Sequence, residues 1–185
     1  MAVSRKIPKG YPELSFLSFD AMELLTSIQA EMNLDPPLSC TLCLQTMETL
    51  ACIRLQDGCA GGEICLHSLF NRPDVPWPVV SHVLRHELLH LKIPAREIDG
   101  RIVSHPPEFW EAEASLIPWR QTSWLWMRLA FGEAIKVDPV VEHLTIKRTW
   151  KRLRQAPYPS WDLALDLCNS QGGERDEAAA LMHCF

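Results

Sequence analysis

Val79-Val80-Ser81-His82-Val83-Leu84-Arg85-His86-Glu87-Leu88-Leu89-His90-Leu91-Lys92 decides how the rest of this 185-residue chain is read. The stretch contains no Gly or Pro, and Pro78 stands just before it, where a first helical turn tolerates proline. Val80, Leu84, Leu88 and Leu91 recur at helical spacing and predict a buried stripe. His86 and His90 are four residues apart, so both imidazoles leave one face of that helix and can share a Zn²⁺. Glu87, one residue round, is close enough to polarise a water held there without being a ligand itself. The HExxH pattern therefore predicts one catalytic zinc, with His86 and His90 as ligands and Glu87 as general base.

Working outward, the composition fits an ordinary globular protein: 47% hydrophobic and 22% charged residues. The net charge of −5 argues against wholesale wrapping by nucleic acid but leaves room for a local basic patch. No apolar run approaches the roughly 20 residues of a membrane span, so no membrane partner is expected. The opening MAVSRKIPKGYPELSF has basic residues but no apolar core of a signal peptide. Seven cysteines without such a signal read as reduced thiols. The expectation is a cytoplasmic protein, or a nuclear one in a eukaryote, rather than a secreted one.

Before the zinc helix, residues 1–18 read as an irregular arm and residues 20–33 as an amphipathic helix. Asp20 is its N-cap, and Met22, Leu25, Ile28 and Met32 are its apolar face. Residues 38–69 change period. SCTLCLQT, TLACIRLQ and EICLHSLF predict an antiparallel meander of about three strands. If its third strand, 62–69, is an edge beside the metal, its free N–H and C=O groups align an extended protein or peptide substrate. Cys40, Cys43, Cys52, Cys59 and Cys65 all fall in this region. Positions 40 and 43 of one strand point to opposite faces, so their CxxC is read as packing rather than as a zinc site.

After the zinc helix, periodicity breaks at Pro94 and Gly100, and a helix over 105–117 begins near Pro106-Pro107. A catalytic zinc usually takes three protein ligands plus water. His105 is the best candidate for the third, with Glu108, Glu111 and Glu113 as competitors. Residues 119–155 predict an aromatic helix followed by a basic one. Lys147, Arg148, Lys151, Arg152 and Arg154 surround Trp150 there: either a solvated face, or a patch for nucleic-acid phosphates with Trp150 free to stack a base. Residues 1–160 form one domain in this reading, with 161–185 a partly helical or frayed tail. The fold class is α+β: a small three-stranded antiparallel sheet packed on the HExxH helix, with further helices behind.

The order of these parts resembles the SprT-like zinc metallopeptidases, which include Spartan-type and minigluzincin-like HExxH proteases. A strand, a proline-bearing loop, VVSHVLRHELLH and then HPPEF after fourteen residues carry the resemblance, over about residues 50–112. It implies His86, His90 and His105 as zinc ligands, Glu87 as general base, and a strand near 62–69 flanking the substrate cleft. It also implies hydrolysis of peptide bonds, in some relatives in proteins attached to DNA. Pro106 stands where Spartan-type members tend to have Gly, and no cysteine-rich zinc ribbon follows residue 112. The competing functions are a zinc-stabilised binding module without turnover and a nucleic-acid-binding protein acting through residues 147–154.

Overall fold

A computed structural model of the chain describes residues 17–34, 39–55, 61–138 and 143–170. The arm before residue 17, the glycine-bearing step at 56–60 with Cys59, and the tail after 170 lie outside the described residues. The fold is α+β. In chain order it runs α1 (Ala21–Glu31), β1 (Ser39–Gln45), β2 (Ala51–Leu55), β3 (Gly61–His67), α2 (Trp77–Lys92), β4 (Arg96–Ile98) and β5 (Arg101–Val103). It continues with α3 (Pro107–Leu116), α4 (Arg120–Phe131), β6 (Ile135–Asp138), β7 (His143–Ile146), a 3-10 stretch (Arg148–Gln155) and α5 (Trp161–Ser170). Among the described residues no helix is long and apolar enough to cross a membrane.

Helix α2 is the centre of the molecule. It starts as its prolines dictate, with Pro76 at the N-cap and Pro78 in the first turn, where a missing N–H costs nothing. Val80, Leu84 and Leu88 are fully buried as the stripe predicts, but Val79, Ser81, His82, Val83, Arg85, Glu87 and Leu89 are buried as well. The helix is therefore enclosed on nearly all sides, with α1, α3, α4 and β2 all packed on it. Ser81, His82, Arg85 and Glu87 are thus polar groups under the surface, where an unpaired one is costly. Arg85 forms an ion pair with Glu31, which ties α2 to α1.

Helix α1 has the expected cap: the Asp20 carboxylate accepts the N–H groups of Met22 and Glu23 at 2.8 and 3.0 Å. Its buried face is Leu25, Ile28 and Met32 as expected, with Ala21 in place of Met22, which is 41% exposed.

The sheet corrects the expected meander. Its order is β1-β3-β2, with β2 antiparallel and β1 parallel to β3, so it is mixed and 62–69 is its central strand. The physical reason lies in composition. Ile64, Cys65, Leu66 and His67 of β3 are all fully buried without alternation, the mark of a strand covered on both faces. The edge beside α2 is β2, which ends in the exposed Arg54 and Leu55.

The second half departs further from expectation. The aromatic helix stops at Phe131 and the chain forms the antiparallel hairpin β6–β7, where an aromatic helix followed directly by a basic one was expected over 119–155. Ile135 and Ile146 pair across it and join the core. The basic segment is 3-10 rather than α-helical, and Trp150 is 4% exposed, edge-on to His67 with ring centroids 4.7 Å apart. A buried Trp150 is unavailable to stack a base. Lys147, Arg148, Lys151 and Arg152 do lie on the surface.

Candidate metal centre

Two elements deliver the histidines. Helix α2 presents His86 and His90 one turn apart, with ring centroids separated by 5.2 Å. The chain then turns back through the two-residue hairpin β4–β5, with Asp99 at φ 52° and Gly100 at φ 76°. Both residues being left-handed is what a tight hairpin of this hand needs, and Asp-Gly supplies it at little cost. The return brings His105, just ahead of α3, against the other two: its ring lies 4.9 Å from each. One ligand atom from each of the three histidines falls within 4.8 Å of the others.

The donor geometry fits a metal. His86 Nε2 and His105 Nε2 face each other at 3.1 Å. Two nitrogens on one tetrahedral zinc, each bound at ~2.0–2.1 Å, stand ~3.3 Å apart. Phe109 of α3 is fully buried under the cluster, with its ring 5.0, 4.7 and 4.8 Å from His86, His90 and His105. It packs all three imidazoles from one side and limits their rotation.

The carboxylates divide by position. Glu113 is fully buried behind His86, with Oε1 2.7 Å from His86 Nδ1 and 3.2 Å from His82 Nε2, and Oε2 accepting from Arg120 Nε. It thus fixes the tautomer in which His86 Nε2 faces the cluster. His82, one turn before His86, is 1% exposed and belongs to this network. Glu108 pairs with Arg96 at 2.6 Å on the surface, and Glu111 is exposed. Of the residues weighed for the third position, His105 is the one that lies with His86 and His90.

Electrostatics follow from this packing. Burial holds the His90 pKa down at about 4 and that of His105 at about 3, helped by the charge of His86, so both are neutral donors at pH 7. Burial opposes charge on His86 too, but the Glu113 hydrogen bond and the Glu87 charge outweigh it and raise its pKa. Burial alone would raise the Glu113 carboxyl, yet hydrogen bonds from His82 and His86 hold it well below the usual range. Glu87 is raised by burial, opposed by His86 and by a hydrogen bond from the Ile53 backbone N–H.

That last bond shows how the sheet meets the site. Ile53 lies on β2, and its N–H points away from β3 toward Glu87. By strand alternation Ala51 and Leu55 turn their backbone groups the same way. These residues line a cleft of about 490 Å³ that also contains His86, Glu87, His90 and His105. Trp124 and Met127 of α4 and Val83 form apolar parts of its wall. The expected substrate-aligning strand, 62–69, is hydrogen-bonded on both sides and has no free edge; β2 has one. His67 and Tyr158 do not line the cleft. His67 Nδ1 accepts the Leu69 N–H at 3.1 Å, and the Tyr158 hydroxyl donates to the Leu69 carbonyl at 3.2 Å. The side chains of His143 and Arg154 lie outside the described residues.

Sequence reasoning missed Glu113 as the partner of His86, and it missed Phe109. A helical carboxylate and aromatic four residues apart beyond the third histidine were visible, but only the hairpin return decides which way they face. No protein-family model matches the chain, and a search of curated proteins gave no match.

Proposed function

We propose that the protein is a zinc metallopeptidase of SprT-like type that cleaves extended segments of protein substrates. The observation that carries this reading is the joint placement of three converging histidines, a buried glutamate beside them and a free strand edge along one cleft. His86, His90 and His105 would hold the zinc, whose chemistry is that of a Lewis acid polarising a carbonyl and making water acidic at neutral pH. Glu87 accepts the water's proton and passes it to the leaving amine. Its position beside the Ile53 N–H keeps the carboxylate oriented toward the cleft. The outward backbone groups of Ala51 and Leu55, with the Ile53 carbonyl, add an extended peptide as a further strand, which recognises main chain before sequence. The apolar wall of Val83, Trp124 and Met127 accommodates a large hydrophobic side chain next to the scissile bond.

The test is cleavage of an unfolded protein such as reduced casein by the zinc-loaded chain and by Glu87→Gln. The expected result is cleavage by the wild type and its loss in the variant, with zinc content at the histidines unchanged. Equal cleavage by both overturns the mechanism. No cleavage by a zinc-loaded wild type would leave the metal a stabiliser of a binding module.

A further inference from the structure

A second group of metal-ligating side chains lies on the sheet, apart from the histidines. The register places Cys43 of β1, Cys65 of β3 and Cys52 of β2 side by side across all three strands. Ile64 and Leu66 flank Cys65 in sequence and enter the main core, so the cysteines share the other face. Cys40, three residues before Cys43, joins the core instead. The group is therefore a product of strand pairing rather than of the CxxC.

Cys43 Sγ and Cys65 Sγ are 2.6 Å apart, and Glu63 Oε2 is 3.5 Å from Cys65 Sγ. We propose that Cys43, Cys65 and Glu63 form a second metal site, for a thiophilic divalent cation of the zinc class, with Cys52 or water as the fourth donor. Two thiolates and a carboxylate are a zinc donor set, and sulfurs sharing one zinc at ~2.3 Å lie ~3.7 Å apart. Reaching that spacing takes side-chain rotation and no change of register.

Charge supports a cation. Arg54 lies 3.8 Å from Glu63 and hydrogen-bonds Gln45 at 2.8 Å, so it spans the group. Two thiolates and Glu63 carry three negative charges, which one divalent ion and Arg54 neutralise. Binding is not redox chemistry: two S–H protons pass to solvent as two sulfur–metal bonds form. Glu63 and Cys52, only partly buried, give the ion its approach.

Co²⁺ titration of the reduced protein tests this, because a thiolate-to-cobalt charge-transfer band cannot come from a histidine site. The expected result is two equivalents bound, with the band present in wild type and in His105→Ala. It should vanish in Cys43→Ser/Cys65→Ser, which keeps the histidine-bound equivalent. Glu63→Gln, which preserves both thiols, should weaken the band-forming equivalent by at least the ~10–100-fold that even outer metal partners are worth. A reduced, folded wild type without the band overturns the proposal. So does a Cys43–Cys65 disulfide in protein isolated anaerobically, or Glu63→Gln binding cobalt as tightly as wild type. Failure here leaves the peptidase reading untouched, since the band reports sulfur alone.

Discussion

Glu113 Oε1 lies 2.7 Å from His86 Nδ1, on the side of the ring away from the nitrogen that faces His105. The same carboxylate engages His82 and Arg120, so one buried charge orients His86 and pairs with two other side chains. Replacing it with Gln should weaken zinc binding by ~10–100-fold. It should also destabilise the fold by up to ~3–5 kcal/mol, since Arg120 loses a buried partner. Competition with a chromophoric chelator measures the first and urea unfolding the second. Unchanged affinity would remove Glu113 from the metal centre.

Metal binding should release a proton. Before a metal binds, His86 is the histidine of the three whose pKa is raised, while His90 and His105 are held down at about 4 and 3. A ligand must be neutral, so zinc displaces the His86 proton and apparent affinity rises with pH until that proton is gone. Calorimetry in buffers of different ionisation enthalpy at pH 6 counts the protons released. A count of zero would contradict the assignment.

The metal-free protein should lose stability on mild acidification. Below the ordinary histidine value of 6.5, the unfolded chain takes up protons at positions 90 and 105 that the folded site refuses until about pH 4 and 3. His86 acts in the opposite sense, its contribution being full at low pH and lost as pH rises through its raised pKa. The His86 change falls above pH 6.5, so below it His90 and His105 set the sign for the cluster: a falling urea midpoint from pH 6.5 toward pH 4 with chelator present. A flat or rising midpoint would contradict it.

The strand edge can be tested apart from the metal. The Ala51 carbonyl accepts the Thr49 hydroxyl at 3.0 Å rather than bonding β3, consistent with its backbone facing outward. Proline is tolerated on an edge strand where the N–H faces away from the sheet. Ala51→Pro should keep zinc and fold but lower kcat/KM on extended peptides by ~10-fold, about the value of one lost hydrogen bond to a well-held substrate. Unaltered kinetics would mean that peptides bind elsewhere.

A clamp far from the chemistry holds the C-terminal segment. Arg72 donates to the carbonyls of Leu153 and Ala156, lies over the Tyr158 ring at 3.9 Å and pairs with Asp74, which accepts the Tyr158 N–H at 3.0 Å. Burial works against the Asp74 charge, but these hydrogen bonds and Arg72 keep its pKa below the usual value. Asp74→Asn should destabilise by ~1–3 kcal/mol, read from denaturant midpoints, with zinc affinity intact.

What was legible in the sequence tracks local physics. The α2 boundaries follow from Pro76 and Pro78, the α1 start from Asp20, and the candidate histidines from i,i+4 spacing and one proline-rich helix start. Strand order was not legible from alternation, although the unbroken burial of Ile64 to His67 is the kind of run that marks a central strand. The β4–β5 hairpin had a local signal, Asp99-Gly100 between Glu97-Ile98 and Arg101-Ile102, which was read only as a helix break. Glu113 and Phe109 were visible as a helical pair, but their roles depend on the hairpin return, and the cysteine row depends on strand pairing across the sheet. Trp150 looked exposed because its neighbours are charged, yet it joins the core with its ring against His67.

The most direct measurement of the central claim is zinc-edge anomalous diffraction from crystals of the zinc-loaded protein. The expected result is a peak at bonding distance, ~2.0–2.1 Å, from one nitrogen each of His86, His90 and His105, with Glu87 outside the coordination sphere. A histidine-cluster peak bonded to Glu113 or Glu87 in place of His105, or no peak among the three imidazoles, would contradict it.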